Sequence, residues 1–290
     1  MTTQLSVRRL TYVLIPLLLA ILTLPMLAED RGEGPLEKAE PKNITVDEII
    51  QRFAAKEKQF KLAREQYTWR QDVRVNDMDG NTALGEYRMV TDILFDDKGK
   101  RVENVVFAPQ STLRQISMTR EDLDDIEKRL PFVLTTDEIP DYNILYVGQQ
   151  QQDEIHTYVF DIAPKKIEKN RRYFQGRIWV DDQDFQIVKT RGKNVPDITS
   201  KSGENLFPEF TTWREQIDGK YWFPTYTMID DTLHFKTGDV RVKQIVKYTN
   251  YKRFGSQIKI TYEGQDIGAA EQNQQTQQPQ QGTAPPEQKK

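Results

Sequence analysis

The chain of 290 residues carries 41 basic and 44 acidic side chains, a formal net charge of −3, two histidines and no cysteine. The lack of cysteine excludes disulfides, thiolate metal sites, cysteine nucleophiles and lipid-modified cysteine anchors. The weakly acidic balance argues against nucleic acid as a partner, because the polyanionic backbone of nucleic acid attracts basic surfaces.

The first 28 residues have the pattern of an export signal. Arg8 and Arg9 precede an apolar run at residues 10–28, and acidic residues follow Ala28. A positive start, an apolar stretch and a small residue at the cut are typical of a signal peptide. We therefore expect a signal peptide over residues 1–28, cleaved near Ala28, and an exported, periplasmic protein. The run also approaches the ~20 residues that span a bilayer, so an uncleaved N-terminal membrane anchor is the alternative.

Composition divides the rest of the chain into three parts. Residues 29–43 are charged and contain glycine and proline, which predicts a flexible tether. Residues 44–264 contain no polar linker and are predicted to form one domain. Residues 265–290 are rich in glutamine and proline and nearly free of large apolar side chains, so a disordered tail is expected there.

Two helices are predicted in the domain. Thr45 and Glu48 have the spacing of a capping box, in which each side chain bonds to the other's backbone N–H. Apolar residues then recur at helical spacing at Ile49, Phe53, Phe60, Ala63 and Tyr67. A second, shorter helix is predicted over residues 120–130, where Thr119 is a suitable N-cap and Pro131 ends the pattern.

The remainder of the domain has the alternation of β-strands. Apolar and polar residues alternate over many segments, and Asp- and Gly-containing turns separate these segments, the first of them at residues 77–80. This pattern predicts about ten or eleven antiparallel strands. A single curled sheet wrapped around the first helix fits better than a sandwich, because the apolar face of that helix needs a surface to cover. The expected fold class is mainly β (α+β).

No catalytic set or metal site is predicted. Asp181, Asp182 and Asp184 could chelate calcium, but they fall where a hairpin must turn, and Asp is a preferred turn residue. His156 and His234 stand far apart and lack the motif of a nucleophile beside a base. We therefore expect no enzyme activity and no cofactor.

Large side chains on nearly every strand could leave a cavity between the sheet and the helix, suited to an acyl chain, or could fill the core completely. By strand alternation the inward-facing candidates for ligand binding are Trp69, Val73, Met89, Ile93, Tyr158, Phe160, Phe174, Ile178 and Phe223.

Two kinds of surface feature have both a functional and an ordinary interpretation. Basic residues at 171–172 and 189–193 could meet anionic lipid headgroups or an acidic partner, or could simply solubilise the surface. The apolar loop 206–210 could be a lid or docking patch, or could pack as an ordinary loop.

The segment Tyr-Phe-Gln-Gly-Arg-Ile-Trp-Val-Asp at residues 173–181, with its turn and the return strand to residue 191, resembles the central hairpin of the LolA/LolB-like superfamily of outer-membrane lipoprotein-sorting carriers. The position of the first helix is also similar. This resemblance implies an unclosed antiparallel β-barrel wrapped around helices, with an apolar interior that holds lipid acyl chains without covalent chemistry. None of the family's ligand-contacting positions can be assigned to this chain residue by residue.

The expected function is that of a periplasmic carrier whose partners are lipid or lipoprotein acyl chains. The alternative is a non-catalytic envelope protein-interaction or sensor module with a solid core, because the same fold also serves sensor proteins. Envelope proteins are further expected partners, and nucleic acid is not.

Overall fold

The computed structural model describes residues 34–254, except 97, 99, 129, 170 and 200–202, together with residues 261–262 and 265–266. The predicted signal peptide and all but two residues of the predicted tail lie outside this part of the chain.

The described elements comprise two α-helices, one 3-10 turn and fourteen strands. In chain order they are α1 (Val46–Arg64), β1 (Tyr67–Asp79), β2 (Thr82–Phe95), β3 (Arg101–Phe107), α2 (Arg120–Lys128), a 3-10 turn (Ile139–Asp141), β4 (Tyr142–Gln152), β5 (Ile155–Pro164), β6 (Tyr173–Asp181), β7 (Ile187–Val195), β8 (Ile198–Thr199), β9 (Glu204–Asn205), β10 (Phe210–Gln216), β11 (Trp222–Phe235), β12 (Gly238–Arg253), β13 (Thr261–Tyr262) and β14 (Gln265–Asp266).

Ten of these strands form one antiparallel sheet in the order β3-β2-β1-β12-β11-β10-β7-β6-β5-β4. Strands β3 and β4 are its two edges and do not pair with each other, so the described sheet is not closed. The predicted fold class, an unclosed antiparallel sheet of about ten or eleven strands with few helices, is confirmed. The alternation from which it was predicted is visible in β1, where buried and more exposed side chains alternate along most of the strand.

Helix α1 covers the concave face of the sheet. Its capping box is formed: Glu48 N donates to Thr45 Oγ1 at 3.2 Å, and Thr45 N donates to Glu48 Oε2 at 3.0 Å. The buried face of the helix includes Ile49, Phe53 and Phe60, and the rings of Phe53 and Phe160 lie 5.6 Å apart. The helix is therefore held by the apolar stripe that predicted it.

A smaller apolar cluster lies apart from the main core. It consists of buried Val159, Trp179 and Val188, with Leu36 packed against them. The backbone around Leu36 also bonds to the edge strand β4, because Gly34 N donates to Gln151 O at 2.8 Å and Glu37 exchanges two backbone bonds with Gln149. One edge of the sheet is thus covered by the chain itself.

Candidate functional site

The structure places the nine predicted ligand-binding residues as follows. Seven lie in the main core: Trp69, Val73, Ile93, Tyr158, Phe160, Phe174 and Ile178. Phe223 is buried in a neighbouring cluster with Phe60 and Tyr67. Met89 lies opposite Val73 in the sheet but is partly exposed. Contact of any of these residues with a ligand remains a prediction.

A cavity of about 470 Å³ lies against strands β1, β11 and β12. We call it the strap cavity, because residues 114–119, the strap, form another part of its wall. Its volume is within the ~300–1,000 Å³ typical of small-molecule sites. Half of its lining residues are apolar: Val75, Ile116, Met118, Leu206, Pro208, Leu233, Phe235, Val240 and Val242. The other half are polar and include the carboxylates of Asp122 and Glu204.

A buried carboxylate fixes the strap over the sheet. Asp77 is fully buried, and its Oδ2 accepts hydrogen bonds from Arg114 N at 2.7 Å and Gln115 N at 2.6 Å. Further along, Thr112 N donates to Glu86 O at 2.9 Å. The chain crosses β2 so closely that a Cβ on Gly85 would lie 2.1 Å from Thr112 O, so only glycine fits there.

The position of Asp77 differs from the sequence expectation. The sequence predicts a turn at residues 77–80, whereas β1 continues to Asp79 and the turn lies at Gly80 and Asn81. Asp77 continues the inward alternation of Val73 and Val75, and the two strap N–H groups satisfy one of its carboxylate oxygens, Oδ2. The signal of this contact in the sequence was a carboxylate at a position that strand alternation places inward.

A second cavity of about 510 Å³ lies in the gap between the two sheet edges. We call it the seam cavity. Its walls come from the end of α1, the first residue of β3, residues 131–133, and strands β4 and β6. Five cations and four aromatic rings line it: Lys61, Arg64, Arg101, Arg171 and Arg172, and Phe132, Tyr142, Tyr173 and Phe174. Phe174 is the one predicted ligand-binding residue that lines either of these two cavities.

Helix α2 separates the two cavities. Asp122, in its first turn, lines the strap cavity, and Glu127, near its end, lines the seam cavity. The nine-residue helix is ~13 Å long at 1.5 Å per residue. An apolar site and a cationic site therefore lie at opposite ends of one short helix.

A buried ion pair fastens α1 to the sheet beside the seam cavity. Arg214 Nη1 donates to Glu57 Oε1 at 2.9 Å and to Oε2 at 3.1 Å, and Arg214 also donates to the carbonyls of Phe132 and Ile187. Burial raises the pKa of Glu57, and the charge of Arg214 opposes that rise. Glu57 was not among the residues predicted from the sequence, although its position between Phe53 and Phe60 on an apolar helix face was a signal.

The acidic turn and the two histidines are not among the residues that line either cavity. Asp181 Oδ1 accepts from Gln183 N at 3.1 Å, as expected of a turn residue. Burial, together with nearby Asp184 and Asp182, raises the pKa of Asp181 to about 6. His156 and His234 are exposed. Among the described residues no group of His, Cys, Asp or Glu side chains could hold a metal ion.

No described helix is long and apolar enough to span a membrane. No protein-family model and no curated protein matches the chain.

Solved structures do match it. A DUF1329 family protein from Desulfovibrio piger matches with 13% identity and a TM-score of 0.36, over 71% of this chain and 92% of that protein. A LolA superfamily protein from Nitrosomonas europaea matches with 15% identity and a TM-score of 0.29, over 70% and 97%. MucB, in a complex with MucA, matches with 9% identity and a TM-score of 0.21, over 72% and 99%.

The class defined by the strand order is thus a mainly β protein with an unclosed antiparallel sheet wrapped around helices. The matched structures include a LolA superfamily member. Similarity at this level describes the fold alone. The function must be inferred from the cavities of the chain itself.

Proposed function

We propose that this protein is an exported periplasmic carrier that binds lipid or lipoprotein acyl chains without covalent chemistry. The strap cavity supports this proposal, because nine apolar side chains give it an apolar wall for an acyl chain, beside a polar part of the lining that includes Asp122 and Glu204. An acyl chain moved from water into such a cavity gains ~0.8 kcal/mol per buried CH₂ group. Binding of this kind needs no catalytic residue.

The strap gives the carrier a way to admit and release its cargo. Ile116 and Met118 contribute apolar wall from the strap side, and the buried Asp77 holds the strap through only two backbone N–H groups. The strap can therefore separate from the sheet at the loss of few bonds.

Export would follow from cleavage near Ala28, and N-terminal sequencing of the protein from the periplasmic fraction should begin at Glu29. Recovery of the full-length chain in the membrane fraction would instead support the N-terminal anchor.

Binding of dansyl-labelled undecanoic acid to the mature chain tests the carrier proposal. Thr237→Trp should obstruct the strap cavity, because Thr237 lines it and is exposed. Met118→Asp should place a carboxylate in its apolar wall. Each variant should weaken binding about tenfold or more. Matched controls are Thr249→Trp and Met228→Asp, which alter exposed positions outside the cavity lining.

Equal affinity of the cavity variants and their controls would reject the strap cavity as the binding site. Native mass spectrometry of the protein purified from envelope extract without detergent is the complementary measurement. A lipid-sized mass that solvent removes supports the carrier. A protein that carries no lipid and does not bind the fluorescent acid favours the interaction module.

The exposed edge of the sheet favours that second candidate function, a site for an envelope protein partner. All seven residues of β3 are exposed, including Val105, Val106 and Phe107 at 53%, 49% and 48%. The opposite edge, β4, is covered by residues 34–37. An exposed apolar edge can pair with an extended segment of another protein. A photo-crosslinking residue at position 106 should then give a discrete adduct in cells, whereas one at Leu62, which is exposed on α1, should not.

A further inference from the structure

Two arginines that line the seam cavity, from different elements, contact one indole. The guanidinium carbon of Arg64, in the last turn of α1, lies 5.1 Å from the ring centroid of Trp69, and that of Arg101, at the start of β3, lies 4.9 Å from it. Arg101 Nη2 also donates to Arg64 O at 2.8 Å. The two cations are thus held in fixed positions beside the same cavity.

Neither of these two arginines forms an ion pair with a carboxylate in the described part of the chain. The other three cations of the cavity have partners: Lys61 with Glu138 at 3.5 Å, Arg171 with Asp141 at 2.6 Å, and Arg172 with Asp125 at 2.8 Å. Against the effect of burial, the charges of Glu65, Glu127 and Glu103 act on Arg101 at longer range and raise its pKa. A ligand anion would therefore displace no directly bound carboxylate from these two arginines.

Two buried donors near these arginines have no acceptor. Arg64 Nε and Trp69 Nε1 are shielded from solvent and have no hydrogen-bond partner among the described residues. Burial lowers the pKa of both Arg64 and Arg101. Arginine nevertheless stays protonated at neutral pH. Buried donors are normally paired, so Arg64 Nε lacks an acceptor, whereas Arg101 is exposed and its charge is solvated.

We propose that the seam cavity is a binding site for a phosphate ester, with Arg64 and Arg101 as the residues that bind the phosphate. Guanidinium groups form bidentate hydrogen bonds to the oxygens of phosphate, and these charge-assisted bonds are among the stronger hydrogen bonds in proteins. The cavity of about 510 Å³ also has an aromatic wall that includes Phe132 and Phe174, whose rings lie 4.4 Å apart. The wall suits an apolar group attached to the phosphate, as in a lipid headgroup.

If the phosphate belongs to a lipid, the phosphate site rests on the proposed carrier function and specifies its ligand. Free phosphate is the other possible ligand of the site. Titration calorimetry of the mature chain with three probes separates these cases. The probes are dioctanoyl phosphatidic acid, dioctanoyl glycerol, which has the same chains without phosphate, and inorganic phosphate. Phosphatidic acid should bind about tenfold or more tightly than the neutral lipid.

Arg101→Gln is the main variant, because Arg101 is exposed on an edge strand and its replacement should leave the fold intact. Its affinity for phosphatidic acid should fall about tenfold, with no change for dioctanoyl glycerol. Arg64→Lys keeps the positive charge but cannot form bidentate hydrogen bonds, so it should retain part of the affinity for phosphatidic acid. The matched control is Arg88→Gln, since Arg88 also lies over an aromatic ring, at 5.5 Å from Phe107, but outside the cavity.

The outcomes distinguish this site from the carrier function. If both lipids bind and the preference for phosphate is unchanged in Arg101→Gln and Arg64→Lys, the phosphate site is refuted while the carrier stands. If inorganic phosphate binds in an Arg101-dependent way and neither lipid binds, the anion site stands with free phosphate as its ligand, and the lipid carrier fails. If no phosphate-containing probe binds the folded wild-type chain, the phosphate site is refuted.

Discussion

Replacement of Glu57 by leucine should lower the free energy of unfolding by about 3–5 kcal/mol, the cost typical of leaving one member of a buried ion pair alone. Glu57 is 0% exposed and Arg214 is 1% exposed, so water cannot replace the carboxylate. Two charge-assisted bonds from Arg214 Nη1 disappear, and each such bond contributes about 1.5–3 kcal/mol. The carbonyls of Phe132 and Ile187 remain as acceptors but do not neutralise the guanidinium.

Urea unfolding followed by tryptophan fluorescence measures this effect. The double variant Glu57→Leu/Arg214→Met should recover most of the lost stability, because replacing a whole buried pair with apolar residues is often neutral or stabilising. A double-mutant cycle then gives the coupling energy. Lys58→Ala is the matched control on the same helix: its pair with Asp137 is exposed, so its removal should cost less than about 1 kcal/mol.

Two results would refute the reasoning. A loss in Glu57→Leu no larger than that in Lys58→Ala would mean that the pair does not hold α1 to the sheet. A double variant as unstable as the sum of its single variants would mean that Glu57 and Arg214 act independently. In either case the buried contact would not explain the position of α1.

Three further changes test other parts of the structure. Thr45→Ala removes the N-cap of α1 and should lower the free energy of unfolding by ~1 kcal/mol in urea; an unchanged midpoint would contradict the capping role. Asp77→Ala should free the strap, so hydrogen exchange at residues 114–115 should accelerate while exchange in β6 does not. Burial raises the pKa of Asp181 to about 6, so the folded protein binds this proton more tightly than the unfolded chain, and stability should fall as the pH rises from about 4 to about 6. Asp181→Asn removes that loss and should raise the Tm relative to the wild type at about pH 8 but not at about pH 4; an equal shift at both would contradict the assignment.

Local patterns were sufficient to predict both helices and most strands of the large sheet, but not its edge strand β3. The capping box at Thr45 and Glu48 marks the start of α1 because both partners lie three residues apart. The alternation in β1 identifies its buried face because successive side chains point to opposite sides. Both signals depend only on near neighbours in sequence, so they can be recognised without knowledge of the tertiary structure.

The cavities could not be predicted in the same way. Alternation shows that Val75 and Val242 face inward, but not that residues 114–119 cover them, because that contact depends on Asp77 meeting a segment 37 residues away. The seam cavity likewise joins the end of α1 to the first residue of β3. Periodicity identifies a buried face and leaves open which part of the chain packs on it.

The two cavities set a minimum size for a ligand that could occupy both. Ile126 and Leu130 are buried between them, and re-exposing such side chains costs about 1.5–3 kcal/mol each, or roughly 3–6 kcal/mol for the pair. At ~0.8 kcal/mol per CH₂, burial of about four to eight additional methylene groups offsets this cost. Displacement of α2 would also break the buried contacts of Asp125 with Arg172 at 2.8 Å and Asn194 at 3.0 Å, so only a chain longer than this could occupy both cavities, and a shorter chain must remain at one end of the helix. On this reasoning the length of the chain decides whether the apolar and cationic sites act on one molecule or on two.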